Sequence, residues 1–176
     1  MTFFKERLKI IKGLIFDVDG VLSMDTSPLD ENGDPMRTAN VKDGFAIRYA
    51  LQNGFQVAII TGANTNRVKL RHKKLGVEHI YLNSFNKTES LDDFLAKTGL
   101  NKDEILYMGD DLVDYQIMKE VGIATCPLDA VPEIKAISQY ISDKKGGEGC
   151  VRDVIEQVMR SQQKWFGQEI KGIKAD

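Results

Sequence analysis

Leu14-Ile15-Phe16-Asp17-Val18-Asp19-Gly20-Val21 is the stretch on which the reading of the fold turns. A brief run of β-branched and aromatic residues reads as a strand buried on both faces, and such strands belong to parallel sheets covered by helices. The run stops abruptly at Asp17, and a second carboxylate follows two positions later. Residues i and i+2 of an extended segment share a face, so Asp17 and Asp19 leave the sheet on one side, where Gly20 lets the backbone turn close to a ligand. Asp-x-Asp-Gly alone also describes a solvated turn. Its meaning depends on what else the chain brings to that edge.

Working outward, similar apolar runs occupy residues 55–60, 79–82, 104–108 and 123–125, with 140–141 as a sixth candidate. Apolar residues at three- and four-residue spacing predict helices over about 43–52, 64–75, 88–97 and 112–120, and a further helix over about 151–163. Asn64 and Thr88 are the expected N-caps, and Gly54, Gly76 and Gly122 the expected left-handed closers. This alternation predicts an α/β fold with a Rossmann-like, mostly parallel sheet flanked by helices and a ligand site at the C-terminal strand ends. Residues 21–41 break the pattern. Pro28, Asn32-Gly33 and Asp34-Pro35 predict a small β-hairpin inserted after the first strand.

The chain of 176 residues has 24 Lys and Arg against 26 Asp and Glu, which suits one domain spanning 1–176 and argues against a nucleic-acid binder with a broad basic surface. Cys126 and Cys150 fit neither a disulfide framework nor a metal-ligand spacing and read as small buried residues. Lys5, Glu6, Arg7, Lys9 and Lys12 interrupt the N-terminus before it becomes a signal peptide or a membrane span, so a cytoplasmic protein is expected.

Other runs end as the first does. Met108-Gly109-Asp110-Asp111-Leu112-Val113-Asp114 puts a second carboxylate cluster at a strand end. Crowded carboxylates raise one another's pKa, so a cation is demanded, and oxygen-only ligands select a hard ion such as Mg²⁺. Asp111 and Asp114 also read as charges on a helix N-terminus, and for Asp114 that reading is as good as a site role. Ile60-Thr61-Gly62 offers a hydroxyl and free N–H groups before a helix, a phosphate cradle by position. Lys87 stands at the next strand-to-helix transition.

Asp17-x-Asp19, Thr61, Lys87 and Gly109-Asp110-Asp111, in that order, resemble the four motifs of the haloacid dehalogenase superfamily of phosphoaspartyl phosphohydrolases, over about residues 11–114. The resemblance implies Asp17 as nucleophile and Asp19 as general acid and then base. It also implies Mg²⁺ held by Asp17, the backbone carbonyl of Asp19 and Asp110, with Thr61 and Lys87 on the phosphoryl oxygens. The large cap common in this superfamily has no room here, so the resemblance is to the capless branch. Its members close the site with a neighbouring subunit's hairpin, usually in a homotetramer, and residues 21–41 look like that hairpin.

Residues 36–44, the basic helix with Arg71, and residues 146–152 with Gln163-Lys164-Trp165 are similar to phosphatases of eight-carbon sugar acids. That similarity implies Arg71, Lys74 and Arg152 as contacts to the substrate's carboxylate or hydroxyls. Ala63 departs from it, since many such enzymes have Arg after Thr-Gly and nine-carbon relatives have Glu. A nine-carbon sugar-acid phosphate or another sugar phosphate is therefore the alternative substrate. A receiver-type phosphoacceptor domain is the alternative of another class, but it carries its acidic pair early and no acid two residues beyond its acceptor. Arg67, Lys69 and Lys73 read as a solvated helix face, His72 and His79 receive no role, and Trp165 and Phe166 read as packing or inter-subunit anchors.

Overall fold

The computed structural model describes residues 2–166. Six strands, β1 (Gly13–Phe16), β2 (Gln56–Ile60), β3 (His79–Tyr81), β4 (Ile105–Met108), β5 (Ile123–Cys126) and β6 (Tyr140–Ile141), form one parallel sheet in the order β3-β2-β1-β4-β5-β6. Around it lie α1 (Thr2–Arg7), α2 (Val41–Gln52), α3 (Asn66–Lys74), α4 (Lys87–Thr98), α5 (Tyr115–Glu120), α6 (Pro132–Ile137) and α7 (Cys150–Ser161). Every residue of β1, β4 and β5 is buried, as unbroken apolar runs require when helices cover both faces.

Side chains alternate across the sheet, so the strands feed two cores. Leu14, Phe16, Val57, Ile59, Leu106 and Met108 meet the apolar faces of α2, α3 and α7. Ile15, Ala58, Ile60, Ile105 and Tyr107 meet α4, α5 and α6 on the other side. On α7 the buried residues Cys150, Val151, Val154, Ile155, Val158 and Met159 recur at helical spacing. Each large aliphatic side chain so buried contributes about 1.5–3 kcal/mol, which holds the helix although no side chain caps its start at Gly149. Among the described residues no helix is long and apolar enough to cross a membrane.

Several local expectations are corrected. Asn40 caps α2, accepting from the N–H groups of Lys42 and Asp43, so that helix starts before residue 43. Thr65, not Asn64, caps α3. Lys87 opens α4, and Thr88 donates its hydroxyl proton to Asn86 instead of capping. Residues 112–120 divide into a 3-10 turn (Leu112–Asp114) and α5. Gly54 and Gly76 have φ of 85° and 91° as expected, but Gly122 does not close a helix in that way. It is small because a Cβ there would lie 2.2 Å from the Asp103 carbonyl oxygen.

Helices α1 and α6 were not expected, since six residues are too few to display a period. The hairpin arms meet at one antiparallel bridge, Leu29 to Pro35. Its turn runs from Asp30 to Asp34, with Asp30 Oδ1 accepting from the N–H groups of Asn32 and Asp34. Gly33 is left-handed (φ 81°) and Asn32 is not, so this is a three-residue loop and not a two-residue Asn-Gly turn. Of the segment that follows the last helix, residues 167–176 lie outside those described.

Candidate active site

β1 lies between β2 and β4, and its crossover runs to α2 on one face while that of β4 runs to α5 on the other. The two loops therefore part above the C-terminal ends of β1 and β4, which opens a crevice there. Phe16 pairs with Ile59 and with Met108, so continuing the register sets Thr61 and Asp110 on either side of Val18. The residues singled out at three separate strand ends thus share one edge.

In that edge Lys87 is the hub. Its Nζ lies 2.7 Å from Asp17 Oδ2 and 2.6 Å from Asp114 Oδ1, with the lysine side chain only 3% exposed. Tyr107 donates its hydroxyl to Asp114 Oδ1 at 2.6 Å, and the Asp110 N–H donates to Asp114 Oδ2 at 3.0 Å. Asp17 Oδ1 accepts from the Val18 N–H at 2.6 Å. Asp17, Asp110 and Asp114 each offer an oxygen within 4.8 Å of the others. Two glycines permit this crowding. Gly20, at φ 74°, has Asp110 Oδ2 2.0 Å from where a Cβ would stand, and a Cβ on Gly109 would lie 2.4 Å from the Asp114 carboxyl carbon.

One buried ammonium does not neutralise three carboxylates. Burial, then the charge of Asp114, pushes Asp17 up to about 7 against the pull of Lys87. Burial, then Asp114, Asp17 and Asp111, pushes Asp110 up to about 8. Burial opposes the charge on Lys87, but Asp17 and Asp114 outweigh it and hold the ammonium above the usual lysine value. The excess negative charge and the all-oxygen donor set fit a hard divalent cation such as Mg²⁺.

Other expected site residues are placed as follows. Thr61 is buried, its Oγ1 accepting from the Ala63 N–H at 3.1 Å, while Gly62 is exposed beside it. Asp19 does not turn toward the three carboxylates. Arg37 grips both of its oxygens, Nε to Oδ1 at 2.7 Å and Nη2 to Oδ2 at 2.8 Å. Arg71 lines a cavity of about 560 Å³ between the hairpin, α2 and α3, which adjoins the carboxylates at Val18 but does not contain them.

Lys74 is not brought to the carboxylates. It ends α3, which runs back from the C-terminal edge, and it lines a shallow groove with Arg48, Leu51 and Lys73. Arg152 bonds Glu156 at 2.7 Å, and its guanidinium lies over the rings of Phe45 and Trp165 at 5.8 and 5.4 Å. Ala63 is buried in the core and offers no side chain to a head group. Trp165 also packs edge-on against Tyr49, whereas Phe166 is exposed. His72 is buried with Nδ1 2.8 Å from the Val68 carbonyl, and His79 packs edge-on against Phe94. Sequence reasoning missed Arg37 and Tyr107 as site residues and left Asp114 open. Cys126 and Cys150 are buried free thiols, as expected.

The strand order differs from the 2-1-3-4-5 order of flavodoxin-like and receiver folds, which sets the signalling alternative aside. Residues 75–155 match the model of haloacid dehalogenase-like hydrolases. The 3-deoxy-D-manno-octulosonate 8-phosphate phosphatase of Salmonella typhi is 38% identical over 163 residues, covering 93% of this chain and 87% of that protein. The Yersinia pestis phosphatase of the same name superposes with a TM-score of 0.87 at 33% identity, over 91% of this chain and 86% of that one. The Moraxella catarrhalis phosphatase, solved with magnesium, phosphate and its sugar acid, gives 0.89 at 32% identity, over 94% and 95%. The carboxylate edge of β1 and β4 is therefore that of a known lineage, and the chain belongs to the haloacid dehalogenase-like hydrolases, in the 3-deoxy-D-manno-octulosonate 8-phosphate phosphatase family.

Proposed function

We propose that this chain is a Mg²⁺-dependent phosphatase that hydrolyses 3-deoxy-D-manno-octulosonate 8-phosphate to the free sugar acid and inorganic phosphate. The observation that carries the reading is the buried Asp17–Lys87–Asp114 array beside Asp110, in a chain 38% identical to an enzyme of that name. A carboxylate oxygen of Asp17 bonds to phosphorus as the bond to the sugar oxygen breaks, and Asp19 gives its proton to the leaving alkoxide. Asp19 then takes a proton from water as that water attacks the phosphoaspartate, which restores Asp17 and releases phosphate. Mg²⁺, held by Asp17, the backbone carbonyl of Asp19 and Asp110, supplies the positive charge that lets an anionic nucleophile meet a phosphate dianion. Lys87 and Thr61 face the phosphoryl oxygens, and Asp114, bonded by Tyr107 and the Asp110 N–H, fixes Lys87.

The enzyme acts in the cytoplasm as a homotetramer whose hairpin closes a neighbouring site. Leu29 and Met36, 65% and 49% exposed on that hairpin, support such a contact. The function is tested by phosphate release from a panel of sugar phosphates, with Mg²⁺ and with chelator. Preference for the octulosonate phosphate in kcat/KM, abolished by chelator, is expected; equal or better use of a nine-carbon analogue would overturn the substrate.

The raised carboxylates add a linkage prediction. Asp17 and Asp110 bind protons up to about 7 and about 8 in the folded chain, against 3.8 for an ordinary aspartate. Between those values the folded state holds more protons than the unfolded one, so metal-free stability falls as pH rises through the folded pKa values. Mg²⁺ relieves the same repulsion. Thermal unfolding should show a larger Mg²⁺-induced rise in Tm at about pH 8 than at about pH 6. A rise independent of pH would mean that the ion does not bind these groups.

A further inference from the structure

Arg37 meets Asp19 across the base of the hairpin, and the pair is a built feature. Thr38 N donates to Ser23 Oγ at 2.9 Å, Met24 N donates to Thr38 Oγ1 at 3.1 Å, and Asn40 Nδ2 donates to the Gly147 carbonyl at 3.0 Å. The return arm that carries Arg37 is thus tied both to the outgoing arm and to the C-terminal glycine loop. The Arg37 side chain is 14% exposed, and that of Asp19 is 48% exposed. Arg37 also lines the cavity of about 560 Å³, with Arg71, Asn66 and Asn40 among its other walls. That is a volume of the size that small ligands occupy.

A fork-to-fork pair engages both oxygens of Asp19. While it persists, the fork holds the Asp19 carboxylate against the hairpin, and Asp19 is not free to swing toward a leaving group or an attacking water. Asp19 is released most readily when another group takes its place on Arg37, and a second carboxylate is the group that matches the guanidinium in charge and geometry. The substrate of the proposed function carries one.

We infer that Arg37 is a specificity-determining residue that exchanges partners: the sugar acid's carboxylate displaces Asp19 from Arg37, and only then is Asp19, open to solvent, free to take up a proton from water and pass it to the leaving oxygen. The inference rests on the sugar-acid reading given above. It makes Arg37 a reader of the carboxylate that licenses catalysis by releasing Asp19, so a carboxylate-free sugar phosphate meets a restrained acid. Recognition and proton transfer are then coupled through one side chain, and the discrimination falls on kcat as well as on KM.

The experiment crosses two changes, Arg37→Ala in the enzyme and carboxamide for carboxylate in the octulosonate phosphate, with Mg²⁺ saturating. The wild type should use the carboxamide about 100-fold less well in kcat/KM, with a drop in kcat included. Arg37→Ala should lose about 30-fold on the acid, chiefly in KM, and should turn over the carboxamide faster than the wild type does, bringing the two substrates within about threefold of each other. Arg37→Lys, which keeps the charge without the fork, should fall between. A variant that is merely misfolded lowers both substrates, so the gain on the carboxamide is the discriminating result. Equal losses on both substrates, or an unchanged preference for the acid, would overturn the inference. Equal use of acid and carboxamide by the wild type would overturn it too, and the sugar phosphate panel shows separately whether the substrate reading fails with it.

Discussion

Asp17→Asn is expected to lower turnover of the octulosonate phosphate by at least about 10⁴-fold while leaving the fold intact. The amide has the shape of the carboxylate but no anionic oxygen with which to form the phosphoenzyme. The fold survives because the replaced group is under strain and not a keystone. Burial and Asp114 already push the Asp17 carboxyl up to about 7, so removing its charge relieves repulsion. Lys87 keeps its 2.6 Å bond to Asp114, and the single amide oxygen accepts from either Lys87 or the Val18 N–H in place of the two carboxylate oxygens. Without Mg²⁺ at about pH 8 the variant should therefore unfold at or above the wild-type Tm, because the buried charge it lacks is the one that high pH makes unfavourable. The two readouts guard each other. Lost activity with lost Tm would speak only of folding, and turnover within about tenfold of wild type would remove Asp17 as the nucleophile.

The parts of this site that could be read in the sequence are those that a parallel sheet delivers automatically. Strand ends deposit their last residues on one edge, so Asp17, Thr61 and Asp110 were placed together as soon as the runs before them were recognised as strands. Asp114 was undecided because an acid in the first turn of a helix stabilises the dipole equally well. What decides its role is complete burial against Lys87, Tyr107 and the Asp110 N–H, and these partners come from three different elements. Arg37 has no role legible in the sequence, because its bond to Asp19 spans 18 residues of a hairpin without periodicity. Lys74 shows how far helix direction matters. A basic helix near the site suggested a contact, but the direction of the helix carries its last residue to the far end of the sheet. Arg152 stands at the right end, yet the rings of Phe45 and Trp165 and the carboxylate of Glu156 claim its guanidinium. Strand identity and the chemistry of strand ends are local properties of the sequence, whereas strand order and the side-chain partners in loops and on helices depend on tertiary packing.

Lys87→Met should be the most destabilising single change to the array, and in a pH-dependent way. Lys87 bonds Asp17 and Asp114 while almost wholly buried, and methionine matches its length without its charge. Breaking a buried ion pair from one side costs about 3–5 kcal/mol, because the partners are left buried and unpaired. For a chain of this size that is a fall in Tm of roughly 6–20 °C. The cost is not constant. With the cation gone, Asp17 and Asp110, already pushed up to about 7 and about 8, are driven further toward their protonated forms, which are tolerated at low pH and lost as pH rises. The metal-free variant should therefore lie closest to wild type near about pH 6 and furthest from it near about pH 8, with Mg²⁺ recovering part of the difference. Turnover separates a chemical role from a structural one. At about pH 6 with saturating Mg²⁺, where the variant is folded, kcat should still be lower by about 10³-fold if Lys87 also faces the phosphoryl oxygens. A variant with the Tm restored and kcat within about tenfold of wild type would leave Lys87 only the task of holding Asp17 and Asp114 together, and would move the neutralisation of the phosphoryl group onto the metal and Thr61.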